Sequence, residues 1–477
     1  MNYYNKKVLI VGAGISGLYA SMKLKTLHPD MDITIIEQNS FTGGRIFTEK
    51  WGNFILEHGP MRFEPDLQPK FNKLITELNI ETIDFSPYTS TFIMPDFNKL
   101  EINEINAISA SNFAPAFALV KYALTQILKD IWDLDVKYIQ DREERKTHLK
   151  QNAKYNGHYL YEQGLWDVFS CVLSKEAIDY VQSKGTFYHM LAINPNAADM
   201  ICFMIDIIDT ANDKLITMKN GSNEIIKKIE KRVNLLGVKF IFNKTVTEFF
   251  NNEHNVTVKT DSNDVFVADR VIFTLPQKAY SDINGFSTSI KTLIQNSIML
   301  LELFKLFVIF TNPPFDEHSI PIVNKNADKI PCRELHYSYD PLEKLGMLQI
   351  YGDFPSINFW NTCLRRKAQL SSSDNTFNDD DITKSHRELL IDHIQRSLKK
   401  LFPEKKCELK HYSIINWSNP PLSTGVHFWR PGYQSLQIMD KLHKLGNVHI
   451  CGETFSTYQG FIEGALISVD KVIESFV

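Results

Sequence analysis

No segment of this 477-residue chain is long and apolar enough to read as a membrane span. The longest apolar run, residues 298–310, is broken by Glu302 and Lys305, whereas a bilayer core asks for about 20 residues. Cysteine is scarce. Six residues stand singly, at 171, 202, 332, 363, 407 and 451, with no C-x-x-C pair. That scatter argues against a disulfide framework or a zinc site and fits a reducing cytosol. A basic excess is missing too: 52 Lys and Arg face 56 Asp and Glu, a net charge of −4 that leaves no general footprint for nucleic acid. No repeat of the solenoid kind is present. No metal, nucleophile or paired-carboxylate motif stands out. Residues 371–381 form a polar, acidic, low-complexity loop. No leader peptide is expected before the first strand, which starts within the first ten residues. What remains has the make-up of a cytoplasmic globular protein of two or three domains.

Residues 8–45, VLIVGAGISGLYASMKLKTLHPDMDITIIEQNSFTGGR, carry most of the information. An apolar strand runs into Gly12, Gly14 and Gly17 in G-x-G-x-x-G spacing, with Ile15 and Ser16 between them. Gly12 permits the tight turn, Gly14 lets the backbone approach a pyrophosphate, and Gly17 lets the helix pack close to the strand. The helix N-terminus offers unsatisfied N–H groups and a positive dipole end. A second strand then ends on Glu37-Gln38, where a carboxylate can take the hydroxyls of an adenosine ribose. This unit binds a dinucleotide but leaves NAD, NADP and FAD open. The following Thr42-Gly43-Gly44-Arg45 favours FAD, because a larger cofactor must continue past the pyrophosphate and Arg45 can supply a bidentate charge.

The nucleotide-binding character returns twice. An amphipathic helix is expected over 222–236, capped by Ser222 and stopped at Gly237. Short strands follow at 239–242, 245–250, 255–260 and 265–268, then a buried strand at 270–275 stopped by Pro276. The last return is a strand at 448–451, Gly452-Glu453 and a final helix from about Gly460. Residues 105–210 alternate helical patterns with a charged stretch at 141–150. The expected architecture is α/β: a Rossmann-like FAD-binding domain (1–60, 215–285 and 440–477) interleaved with a mixed-sheet substrate domain (61–104 and 286–439), plus a helical subdomain (105–214).

GAGISG, Glu37, the GGR at 43–45 and the terminal GETFSTYQGFIEGALIS at 452–468 resemble the flavin-containing amine oxidase superfamily, which includes monoamine, polyamine and L-amino-acid oxidases. The segments GVKFIFNKTVTEF and RVIFTLP are similar to that family's adenosine-side strands. The resemblance implies non-covalent FAD, with Val246 touching the adenine through its backbone and Glu453 beside the ribityl or pyrophosphate. The helix opened by Gly460, Phe461 and Ile462 would aim its N-terminus at the flavin, stabilising the negative charge of the reduced ring.

Lys305 lies in a strand pattern sharing a face with Leu303, Phe307 and Ile309. A lysine there must snorkel at an edge or reach a polar partner in a buried site. The family resemblance selects the second and makes Lys305 the residue that holds a water near flavin N5 and assists reaction with O2. Gly59, Pro60, Met61 and Arg62 would run under the flavin ring. This Gly-Pro-Met-Arg version is similar to that of L-amino-acid oxidases, whose arginine clamps the substrate carboxylate; the alternative is that Arg62 pairs with an internal acid such as Glu57 or Glu64. Trp417 and residues 423–432 resemble the wall where monoamine oxidases attach flavin through cysteine. Val426 and His427 stand there instead, so the substrate cage is expected to be His427 with Phe461, and Tyr337 is a second candidate for the carboxylate.

The reading is therefore an oxidase that takes hydride from the α-carbon of an L-amino acid to flavin N5 and makes an imine, then keto acid and ammonia, and H2O2. Polyamine or monoamine oxidation, or a flavin-bound scaffold without turnover, are the alternatives. Expected partners are a small amine or amino acid and O2, with no nucleic acid, membrane or metal; a homodimer is left open.

Overall fold

The computed structural model describes residues 6–85, 114–131, 141–184, 193–209, 215–320, 329–364, 369–371, 381–420 and 422–476. Its first sheet is parallel and five-stranded, in the order Val448–Ile450, Arg270–Phe273, Lys7–Val11, Asp32–Ile36, Lys239–Ile241. Strands from the beginning, middle and end of the chain thus lie side by side. Val8, Leu9, Ile10 and Val11 are all buried, because both faces of a parallel sheet are covered. On one face the helices Ile15–Leu27, Asn223–Leu235 and Ile462–Ile473 share an apolar core with Phe71 and Leu74 of helix Pro69–Glu77. On the other lies a three-stranded antiparallel meander, Val246–Asn251, Val256–Thr260 and Val265–Ala268. Its Val256 and Val258 pack with Leu9, Val11 and Phe273 of the sheet.

The apolar run at 298–310 divides at Glu302-Leu303 into strands Ile298–Leu301 and Phe304–Thr311. The latter is the central strand of a second sheet, antiparallel, in the order Glu334–Asp340, Leu345–Gly352, Phe304–Thr311, Leu409–Asn416, Gln369–Ser371. Phe304, Leu306, Val308 and Phe310 face a core with Trp360, Leu390 and Ile394, from helices Ser356–Leu364 and Asp381–Leu401. The alternate residues Phe307 and Ile309 pack on Phe54 and Leu56 of the hairpin Thr48–Trp51/Phe54–Glu57. Lys305 belongs to that second face.

Helices Ala114–Ile131, Arg142–Gln151, Lys175–Lys184 and Ala197–Asp209 pack around Leu124, Leu149, Val181 and Ile201. The charged stretch at 141–150 is one of them, with the Asp141 side chain capping it through Glu144 N–H. Among the described residues no helix is long and apolar enough to cross a membrane, and no group of three or more His, Cys, Asp or Glu could hold a metal ion. Most of the 371–381 loop lies outside the described residues.

One expectation fails locally. Ser222 sits at the start of its helix in helical geometry, and its hydroxyl makes no capping bond. The carboxylate of Glu57 replaces it. It accepts from Ser222 N–H at 2.6 Å, from the Ser222 hydroxyl at 2.6 Å and from the Thr48 hydroxyl at 2.9 Å. An acid from a distant hairpin thereby satisfies a helix N-terminus. Glu57→Ala should lower stability to chemical denaturation by about 2–3 kcal/mol, and Ser222→Ala by about 1 kcal/mol. Equal, small losses would show that this carboxylate does not tie hairpin to helix.

Candidate active site

A cavity of about 1270 Å³ lies between the two sheets and the helical insert. That exceeds the roughly 300–1,000 Å³ of a site for one small ligand, and matches a long cofactor with a substrate beside it. Its walls include Gly12, Gly14, Ile15, Ser16, Glu37, Gln38, Gly44, Arg45 and Val246 toward the parallel sheet. They include Gly59, Pro60, Met61, Arg62, Lys305, Trp417, Glu453, Gly460, Phe461 and Ile462 toward the second sheet and the final helix. Sequence positions hundreds of residues apart therefore converge.

The glycines differ in what they do. A Cβ on Gly17 would lie 2.0 Å from the Gly12 carbonyl oxygen, so this glycine is required by helix-on-strand packing. Gly14 has no protein atom within 4 Å of such a Cβ; it faces open space at the N-cap of helix Ile15–Leu27. The first N–H groups of that helix have no intrahelical acceptor and suit a pyrophosphate. Glu37 is locked for its role: Oε2 accepts from Ala13 N–H at 2.8 Å and Oε1 from Asn39 N–H at 2.9 Å. Its remaining lone pairs suit ribose hydroxyls.

Glu453 organises the middle of the cavity. It accepts from Arg45 at 2.7 Å and from Gly460 N–H at 2.7 Å, and lies 2.9 Å from His427 Nδ1. Burial raises its carboxyl, but Arg45 and His427 outweigh burial and hold it well below the usual carboxylate range. Arg45 also donates to the Gly425 carbonyl at 2.7 Å. The final helix opens at Ile462 with no side-chain cap, leaving its first N–H groups toward the cavity.

At the reaction end Lys305 is buried and donates to the carbonyl oxygens of Glu57, at 2.8 Å, and Gly59. Burial pushes its pKa down to about 7, against the opposing pull of Glu57. Two N–H bonds leave one position on the nitrogen for a water or a reacting group. The register aligns Lys305 with Tyr351 and Tyr351 with Glu334, so the three form one row across three strands. All three line the cavity, and the Tyr351 ring lies 4.8 Å from Lys305 Nζ. Trp417 donates to the His58 carbonyl at 2.9 Å, fixing the same backbone segment from the other side.

The model of the flavin-containing amine oxidoreductases matches residues 15–469. The chain belongs to that family. A protein of Acanthamoeba polyphaga mimivirus, named only as uncharacterized, is 31% identical over 124 residues, 26% of this chain and 23% of that one. L-amino-acid oxidase 4 of Hebeloma cylindrosporum is 21% identical over 99% of this chain and 82% of its own. A solved double mutant of putrescine oxidase superposes with a TM-score of 0.65 at 17% identity, covering 99% of both chains, which establishes the same fold. Flavin is the group this family carries, and the open space at Gly14, the Glu37 carboxylate and the two free helix N-termini fit FAD. Among the described residues no cysteine lines the cavity.

Several amine-oxidase expectations need correction. Tyr337 does not line the cavity; it packs with Phe315 and Phe402 on the far side of the sheet. His427 is buried behind Glu453 and Thr454, because strand alternation turns Val426, its neighbour, to the cavity instead. The rings beside Phe461 are instead Phe203 of the helical insert and Tyr458, with centroids 5.4 and 5.2 Å from it. Gly17 and Gly452 support the cavity without lining it. Arg62 does meet an internal acid, the buried Glu334 at 3.5 Å, in place of the examples Glu57 and Glu64. Glu334, Tyr351, Phe203 and Tyr458 were not foreseen; only the alternation of 334–340 hinted that Glu334 and His336 share a face.

Gly14→Ala should leave the fold intact and weaken FAD binding at least tenfold, because its methyl enters cofactor space. Gly17→Ala should instead destabilise the apoprotein. Fluorescence titration of FAD and thermal unfolding of the apoprotein separate the two. The idea fails if both variants lose only cofactor.

Proposed function

We propose that this flavoprotein is an oxidase of L-amino acids. The observation that carries it is the guanidinium of Arg62 in the cavity wall, three residues beyond the Gly59 carbonyl that anchors Lys305. A planar fork there suits a carboxylate on the carbon next to the reacting amine. The likeness to the fungal L-amino-acid oxidase supports the same reading. FAD, when bound, accepts the hydride equivalent of the α-carbon and passes both electrons to O2, which leaves as H2O2.

The protein's own work is positional and electrostatic. Arg62 holds the carboxylate and so fixes the α-carbon. Lys305, with two N–H groups bound to carbonyls, keeps its remaining position for a water near the reacting centre. A lysine that ionises near neutrality can take or give the proton that accompanies O2 reduction. The N-terminus of helix Ile462–Ile473 places a positive dipole end where negative charge develops. The product imine takes up water and separates into keto acid and ammonia. Oxidation of a di- or polyamine is the second reading, favoured by the Glu334 carboxylate in the same wall and by the likeness to putrescine oxidase.

Peroxide release on a panel of amino acids and amines tests the proposal directly; bound FAD with no peroxide from any of them would favour a scaffold. Arg62→Ala should raise KM for amino acids roughly 100-fold while leaving simple amines nearly unchanged. An equal rise for both would sink the carboxylate assignment. Lys305 also leaves a signature in stability. Its ammonium is favoured less in the folded than in the unfolded protein, so between pH 7 and the ordinary lysine range the unfolded chain binds more protons. Raising pH through that window should therefore stabilise the apoprotein, and Lys305→Met should lose that increment in paired denaturation curves.

A further inference from the structure

A chain of polar side chains runs beneath the reaction end, between the second sheet and the hairpin at 48–57. His58 stands between Glu57 and Gly59, the two residues whose carbonyl oxygens hold Lys305, and is among the residues that line the cavity. Its ring is nearly perpendicular to that of Phe307, with centroids 4.9 Å apart. Nε2 lies 3.0 Å from the Ser413 hydroxyl, and that hydroxyl donates to Glu49 Oε2 at 2.6 Å. The second Glu49 oxygen lies 3.1 Å from His411 Nε2. Of the three linked groups Glu49 alone approaches solvent: its side chain is 18% exposed and that of His58 0%, with Ser413 buried.

Proton counting fixes the direction of these bonds. A serine hydroxyl has one hydrogen, and here it is directed to the Glu49 carboxylate. The Ser413 oxygen can then only accept from His58, so Nε2 carries the ring proton and Nδ1 is left as a bare acceptor. That nitrogen is buried and has no hydrogen-bond partner. It adjoins Cγ, at the end of the ring nearer the main chain that Lys305 binds. A buried acceptor left unmatched costs about 1–3 kcal/mol, and a water from the cavity side would remove that cost. Burial holds the imidazole below its ordinary pKa, with the charges of Lys305 and His411 adding to burial and Glu49 opposing it, so the ring is neutral and able to accept. Glu49 is the converse. Burial raises its carboxyl, but the hydrogen bonds of His411, His58 and Ser413 outweigh burial and hold it well below the usual carboxylate range.

An amino acid, or any other amine, arrives as an ammonium ion. It must shed one N–H proton, the bonding pair staying on nitrogen, before hydride can leave the α-carbon. Reduction of O2 by that hydride takes one proton back, since O2, H− and H+ together give H2O2. A proton therefore leaves the reacting centre and another returns in every turnover. Resting on the reading of Lys305 as the base beside the reacting amine, we propose that His58, Ser413 and Glu49 form the passage for that proton. Lys305 takes it from the ammonium and yields it through water to His58 Nδ1. The Nε2 proton moves to Ser413, whose own proton passes to Glu49 and on to solvent. The reverse sequence supplies the proton for O2. His58 is thus a relay that acts through Lys305, and the passage serves amino acids and simple amines alike.

Two measurements decide it. The first is nitrogen NMR of the unaltered apoprotein carrying isotope-labelled histidine, with the His58 signal identified by its loss in His58→Phe. It should report a neutral ring with its proton on Nε2; a proton on Nδ1 overturns the relay. The second uses the FAD-loaded enzyme. Ser413→Ala should lower kcat roughly tenfold or more while KM changes little. It should also enlarge the solvent deuterium isotope effect on kcat, because proton passage becomes the slow step. Ser413→Thr, which keeps a hydroxyl, should recover most of the rate. A merely structural role for Ser413 would slow hydride transfer and leave the isotope effect as it was, and that outcome, like an unchanged kcat, overturns the passage alone. Bound FAD with no peroxide from any amine is a different result: it overturns the reading of the site and the passage with it.

Discussion

The burial of one amine sets the geometry of the reaction end. Lys305 sits in the central strand of the second sheet, on the face where Phe307 and Ile309 pack against the hairpin at 48–57. A lysine placed there would cost several kcal/mol without partners. The carbonyl oxygens of Glu57 and Gly59 supply them, and both belong to the segment that continues into Pro60, Met61 and Arg62. Satisfying the lysine therefore fixes the backbone from which the arginine projects. One pair of hydrogen bonds thus ties Lys305 to the segment that carries Arg62.

Glu57 serves this arrangement twice. Its carbonyl holds Lys305, and its carboxylate ends on Ser222 and Thr48 at the start of helix Asn223–Leu235. That helix packs against the first sheet, so a single residue links the nucleotide-binding core to the substrate-side sheet. Glu453 makes the complementary link through Arg45, Gly460 and His427. Each acid is buried, and each is matched by several donors rather than by one cation. Displacing either would be felt on both sides of the cavity.

What the sequence disclosed follows from how local each signal is. The glycines of G-x-G-x-x-G, of 43–44 and of the start of the final helix act through their own backbone, and Glu37 and Arg45 follow them at short fixed spacing, so these signals are legible without knowledge of the fold. The strands at 239–241, 246–251, 256–260 and 265–268 were expected within a residue or so, because each is a short alternating run bounded by turns. Tyr337 and His427 were misplaced because which face of a strand fronts the cavity is set by what packs on the whole sheet, and His427 in addition pairs with the sequence-distant strand Ile298–Leu301. Glu334 was missed for the same reason: its meaning comes from two ladder steps to Lys305. Ser222 looked like a cap, and only the distant hairpin shows that Glu57 does that work.

This contrast bears on how such a protein can change its substrate. The cofactor end is built from main-chain N–H groups, close glycine contacts and a locked acid, all of which tolerate little variation in side chain. The reaction end is built from side chains that stand in one row across a sheet: Lys305, Tyr351 and Glu334. Lys305 is tied to the backbone beneath it, whereas Glu334 is tied mainly to other side chains, Arg62 and His336. The lysine and the carboxylate therefore stand two strand spacings apart in one row and are held by different means, one by main-chain carbonyls and the other through side chains.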